Sequence, residues 1–192
     1  TIGHGLSGKP DAVLYKKLSS TGSWFLYTDV IDGSWDELTL NATGGKVDYS
    51  ATYATSTTFR TVTSSAGADW ITYSFKSVAG FSKIGKYFGN DADPNGTFVY
   101  TGFKPAFVLI KNYDSASYHW QLYDTARSPL NENQTLFTAD TADAEVTGGN
   151  STAIDLLSNG FKCRGGYDGF NGPNTQQIYI AFAENPFVTS TG

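Results

Sequence analysis

The chain has no methionine, one cysteine, two histidines, and charged residues at only 16% of its 192 positions. A single cysteine, Cys163, excludes an internal disulfide and a cysteine-based zinc site, and its ordinary role is that of a small buried residue on a strand. The histidines, His4 and His119, stand at non-equivalent places of an internal repeat, and no Ser or Cys has a nucleophile-elbow context. No Lys/Arg cluster is present and the net charge is -5, so the basic face that neutralises phosphates is missing and a nucleic-acid partner is not expected. No apolar run approaches the roughly 18 to 20 residues that cross a bilayer. Thr1-Ile2-Gly3-His4-Gly5 has neither the basic start nor the apolar middle of a signal peptide. The expectation is a soluble piece of a longer protein without membrane insertion.

What is present favours strands. Hydrophobic residues make up 40% and aromatics 15%, with 21 glycines, and Thr, Ser, Tyr and Phe recur where a helical chain would place Ala, Leu, Glu and Lys. The most apolar run, Gly102 to Lys111, has a twin in Leu6 to Lys16. Lys-Pro opens each, Val-Leu follows three and four residues after the Pro, and a Lys closes it. Pro at the first residue of a strand costs no ladder donor, so both read as strand starts. Alternation places Ala106, Val108 and Ile110 on one face and Phe107 and Leu109 on the other. Trp24-x-Leu26-Tyr27 matches Trp120-x-Leu122-Tyr123, with Trp and Leu sharing a face and Tyr turned away. Leu38 to Asn41 is matched with Leu136 to Ala139, Thr58 to Val62 with Gly160 to Arg164, and Trp70 to Lys76 with Gln177 to Ala183. The spacing is 95 residues from Lys9 to Lys104 and 107 from Phe75 to Phe182, which fits duplication of a whole β unit rather than a solenoid. The fold expected is all-β: two internally repeated antiparallel β-sandwich units of jelly-roll or lectin-like type, packed together. Residues 1–81 form the first unit, 82–96 a connecting hairpin segment and 97–192 the second unit.

Asp91-Ala92-Asp93-Pro94-Asn95-Gly96 fits the opening of a calcium loop, in which alternate oxygens from Asp91, Asp93 and Asn95 point at one cation. The bidentate Glu is missing, since residue 102 is Gly, and an ordinary polar turn accounts for the same residues. No other cofactor is indicated. A glycosidase would need two carboxylates at a set separation, and Glu37, Glu132, Glu145 and Asp155 fall in loops without a distinctive pattern, so surface acids are the plainer reading and no enzyme is expected. Trp35, Tyr49, Tyr53, Tyr118, Tyr167 and Phe170 lie in or beside loops, off the core pattern. An aromatic face stacks on the apolar face of a pyranose while Asp and Asn fix hydroxyls, so the loop Gly165 to Gly172, with Tyr167, Asp168 and Phe170, suits a sugar. A flexible hairpin end or a subunit interface has the same composition.

Several long phrases resemble a domain family of unknown function found in tail and other structural proteins of bacteriophages, many of them marine. They are His4-Gly5-Leu6, Gly80 to Asn90, Phe98 to Lys111, Leu156 to Lys162 and Ala181 to Phe187. The resemblance covers nearly the whole chain. It implies a non-enzymatic virion component, a tail fibre or surface protein found outside the cell and joined to other virion subunits as a homo-oligomer, with host surface glycan contact through loops. A stand-alone carbohydrate-binding domain and a polysaccharide-degrading enzyme are the alternatives.

Overall fold

Alternating apolar and polar positions become strands throughout the computed structural model, which describes residues 1–60, 67–147 and 149–187. The first half holds β1 (Ile2–Gly3), β2 (Ala12–Lys17), β3 (Trp24–Thr28), β4 (Asp36–Thr39), β5 (Val47–Asp48), β6 (Thr58–Phe59) and β7 (Trp70–Phe75). Then come β8 (Ser82–Phe88), β9 (Phe98–Tyr100), β10 (Pro105–Asn112), β11 (Gln121–Asp124), β12 (Phe137–Thr138), β13 (Ile154–Leu157), β14 (Gly160–Cys163) and β15 (Gln176–Ala183). The expected strand over 58–62 is seen at β6. Its last two residues, Thr61 and Val62, lie outside the described residues, as does Val188 onward in the second unit.

Two five-stranded antiparallel sheets dominate, in the orders β5-β4-β3-β2-β7 and β12-β11-β10-β15-β8. Strands matched by sequence hold matching places, since β4-β3-β2-β7 in one sheet answers β12-β11-β10-β15 in the other. The small sheets correspond as well. Ile2 pairs with Phe59 in β1-β6, and Val99 pairs with Phe161 where β9 joins β14 and β13. The segment 82–96 contributes more than a connection: β8 adds a seven-residue edge strand to the second sheet along β15.

Burial follows the predicted faces. Leu26, Leu38, Leu109, Trp120, Ile178 and Ile180, with Phe107, Leu122 and Phe182 packed against them, form a central core between the large sheets. Val108, Ile110, Tyr123, Tyr179 and Ala181 turn the other way and meet Val99, Phe161 and Cys163 of the small sheet. Val13, Tyr15 and Tyr27 do the same against Phe59. The order of layers is therefore small sheet, large sheet, large sheet, small sheet. The central strands β3, β10 and β15 bury side chains on two sides, which is why their sequences run apolar without a solvent-facing stripe, whereas the edge strand β8 alternates buried and exposed residues.

One match slips by a residue. Leu26 pairs with Leu38, whereas its twin Leu122 pairs with Phe137, so the partner of Leu38 in the repeat is Phe137 and not Leu136. A one-residue slip reverses the face, and Leu136 indeed points into the outer core beside Tyr123. Strand β13 was not expected. Its Ile-x-Leu alternation is an ordinary strand signal, and the two-residue turn Ser158-Asn159 joins it to β14.

Candidate functional site

Three of the expected loop residues come together, and they come from distant parts of the chain. The Tyr118 hydroxyl donates to Asp168 Oδ2 at 3.1 Å, and the Tyr118 and Tyr167 rings meet edge to face with centroids 5.7 Å apart. Asp168 is exposed and both tyrosines are partly so. Burial, then the neighbouring Asp168 carboxylate, pushes the Tyr118 and Tyr167 phenols above the ordinary range, so at neutral pH Tyr118 keeps the O–H that donates to Asp168.

The loop that carries Tyr167 and Asp168 is fixed to the sheet. Asn112 Nδ2 donates to Asp168 O at 2.9 Å, Asn171 Nδ2 to Gly165 O at 2.9 Å, and the Tyr87 hydroxyl to Phe170 O at 2.7 Å. Its glycines permit contact closer than any side chain allows: a Cβ on Gly165 would lie 2.0 Å from Ser151 O, and one on Gly169 2.4 Å from Gln121 Nε2. The expected flexible hairpin end is instead a packed cover, and Phe170 is its plug. At 0% exposure inside the outer core, Phe170 has no face left for a ligand.

Trp35 is corrected for the same reason. It is 2% exposed and stacks on Tyr27 at 5.3 Å with Tyr53 edge-on at 6.2 Å, because the turn before β4 folds its ring under the small sheet. Tyr49 packs against that core and donates to Glu37 Oε2 at 3.0 Å. Neither residue joins the Tyr118 patch.

Asp91, Asp93 and Asn95 are exposed on the turn between β8 and β9. Asn171 organises that turn: its Oδ1 accepts from Asn90 N at 3.2 Å and Thr97 N at 3.4 Å, while Asp91 N donates to Asn171 O at 2.7 Å. Lys162 Nζ lies 3.4 Å from Asn95 Oδ1, so an ammonium already attends one of the three expected ligand oxygens. A different acidic group does converge. Asp32, Asp36 and Asp48 bring carboxylate oxygens within 4.8 Å of one another, and Lys46 Nζ bonds Asp32 Oδ2 at 2.5 Å and Asp36 Oδ1 at 2.8 Å. The Lys46 and Ser34 hydrogen bonds hold Asp32 well below the usual carboxylate range, while burial pushes Asp36 up. The Asp32-x-Ser34-x-Asp36 spacing was its sequence signal. Lys46 makes it an ion cluster that ties β4 and β5 to the preceding turn.

The acids weighed for sugar hydrolysis are engaged elsewhere. Glu37 accepts from the Tyr27 hydroxyl at 2.6 Å, Glu145 faces Arg127 at 3.6 Å, and Glu132 and Asp155 share the Arg164 guanidinium at 3.2 and 3.3 Å. A groove of about 710 Å³ runs past Tyr100, Phe103, Lys104, Asn159 and Glu184, and Glu37, Glu132, Glu145 and Asp155 do not line it. Tyr100 is 65% exposed there, and Lys104 and Glu184 close an ion pair of 2.8 Å across it.

Fold and surface together define an all-β protein of stacked antiparallel sheets that exposes aromatic and carboxylate groups from packed loops. The chain belongs to the family described as Domain of unknown function (DUF7483), whose family model matches residues 1–186. No curated protein and no solved structure matches it.

Proposed function

We propose that the chain is a non-enzymatic structural and adhesion module of a virion, on a phage tail or particle surface, that touches host glycans through loops held on a rigid β frame. The carrying observation is the Tyr118–Asp168–Tyr167 patch, in which two loops fifty residues apart set aromatic edges beside an exposed carboxylate. Tyrosine presents a rigid apolar face with a polar tip, and a carboxylate accepts from paired sugar hydroxyls. The matched strand orders of the two large sheets read as duplication of one β unit, with the loops as the part free to specialise. The virion half of the reading rests on the resemblance of the long phrases to a domain family found in phage tail and structural proteins. Other virion subunits and further copies of the chain are its expected partners.

Two measurements test this. On a glycan array, at least one glycan bound by the wild type should be lost in Tyr167→Ala and Asp168→Asn variants that melt like the parent. Cross-linking of intact particles should place the chain against tail or surface subunits. Glycan binding without any particle partner would leave a stand-alone carbohydrate-binding domain, and failure of both measurements would refute the proposal.

A further inference from the structure

The two tryptophans made equivalent by the repeat have different fates. Trp120 is fully buried in the central core, and its indole N–H crosses to the first unit and donates to Thr39 O at 2.9 Å. The carbonyl that corresponds to Thr39 O in the second unit is Thr138 O, by the pairing of Phe25 with Thr39 and Gln121 with Thr138. That oxygen is taken by Thr141, whose N and Oγ1 approach at 3.3 and 3.5 Å. Trp24 stays at the surface, only partly covered, and lines a pocket of about 380 Å³ with Leu14, Leu40, Asn41, Tyr73 and Ala139.

The other differences between twins fall at the same place. Tyr73 pairs with Leu14 as Ile180 pairs with Leu109, yet Ile180 is 6% exposed in the core while Tyr73 is 46% exposed. Its ring lies 6.4 Å from that of Trp24 at an interplanar angle of 28°. Asn41 Oδ1 accepts from Trp24 N at 2.9 Å, just as Asp140 Oδ1 accepts from Trp120 N at 3.0 Å. Asp140 gives its second oxygen to His119 Nδ1 at 2.9 Å, whereas Asn41 retains an amide NH₂ at the pocket. Lys16 steadies the indole from 5.8 Å and donates to Gly22 O at 2.7 Å.

We propose that the Trp24–Tyr73–Asn41 pocket is a saccharide-binding site that takes one pyranose ring, separate from the Tyr118 patch. Two nearly parallel aromatic rings offer stacking faces to the C–H face of the sugar, Leu14 and Leu40 exclude water beneath it, and the Asn41 amide donates to a ring hydroxyl. The volume is at the low end of the roughly 300 to 1,000 Å³ range of small-ligand sites, which suits a single ring at the end of a glycan. The proposal rests on the adhesion reading for its ligand class.

Intrinsic tryptophan fluorescence reads it, because Trp35 and Trp120 are buried, Trp70 is stacked on Tyr15 at 4.1 Å outside the pocket lining, and Trp24 is the ring that a sugar would cover. Methyl glucoside, methyl galactoside and N-acetylglucosamine are titrated to about 50 mM, since single rings bind weakly. A saturable change is expected with one of them. Trp24→Phe should remove the signal, and Tyr73→Ala and Asn41→Ala should each weaken binding about tenfold, measured by calorimetry, with melting temperatures near the parent's. Tyr167→Ala should leave the titration unchanged. Absence of any saturable change in the wild type overturns the site, as does a titration that survives in Trp24→Phe and Asn41→Ala. A signal lost in Tyr167→Ala but kept in those variants would sink this pocket and leave the Tyr118 patch standing.

Discussion

Lys111 closes the most apolar strand of the chain and should make the protein gain stability as the solution becomes alkaline. Its side chain is fully buried, and its ammonium donates to Asn112 O at 2.6 Å and Ser115 O at 3.4 Å. Burial pulls it down to about 8 from 10.5, with the Asp140 charge opposing. The folded chain therefore releases this proton near pH 8 and the unfolded chain only near pH 10.5. Between those values the unfolded state binds more protons, so stability rises with pH, and the full cost of burying the charge is felt below about pH 8. From pH 8 to pH 10 the gain amounts to about 2 kcal/mol. Lys111→Met keeps the stem and removes the titration, while leaving two carbonyls without their donor at a cost of about 1 kcal/mol each. Urea unfolding of both proteins at several pH values isolates the effect. Tyr113 and Tyr179, which burial pushes to about 12, titrate in both and cancel. Wild type should improve relative to the variant by about 2 kcal/mol over that window. A difference that stays flat within about 0.5 kcal/mol would show that the ammonium keeps its proton in the folded chain across the whole window, as it does in the unfolded chain, and the reasoning would fail.

Other expectations concern the frame and its turns. Asn171→Ala removes one donor and two acceptor contacts that join the Gly165 to Gly172 loop to the β8–β9 turn, and should cost about 2 to 4 kcal/mol in chemical denaturation. Trp35→Ala empties a core position and should cost about 3 to 5 kcal/mol, while glycan binding per folded molecule stays at the parent level. Calcium added to about 1 mM should not raise the melting temperature, because Lys162 stands beside Asn95 and Asn171 already satisfies the turn; a rise abolished in Asp93→Asn would reverse that assignment.

Strand faces were legible in the sequence because alternation has a period of two and the buried residues are large. Val108 and Ile110 against Phe107 and Leu109 could be sorted without coordinates, and so could Ile178 and Ile180 against Tyr179 and Ala181. Short strands carry too few residues for that test, which is how Leu38 was matched with Leu136 instead of Phe137. Loop aromatics were legible only in part. Being off the strand pattern says nothing about whether a loop folds back onto a sheet, and Trp35 and Phe170 do so while Tyr118 and Tyr167 stop at the rim. The pairing of Tyr118 with Asp168 needs three-dimensional information, since each residue alone looks like an ordinary turn.

The two large sheets, matched in strand order, bear on the proposed function through the places where they differ. Trp120 and Ile180 lie in the central core, where the Trp120 indole reaches Thr39 O of the other large sheet, and Asp140 is committed to His119 beside it. Their twins Trp24, Tyr73 and Asn41 have no opposing indole to pack against and remain at the surface. A residue kept in both copies therefore need not keep one role: where the sheets meet it is structure, and where they part it is available for binding. Lys16 and Lys111 follow the same rule, one resting over a partly covered indole and the other enclosed with backbone carbonyls. If binding resides at the Trp24 pocket, grafting the second unit's choice by Tyr73→Ile should weaken monosaccharide binding there about tenfold and preserve the melting temperature, because Ile180 holds the corresponding register of β15.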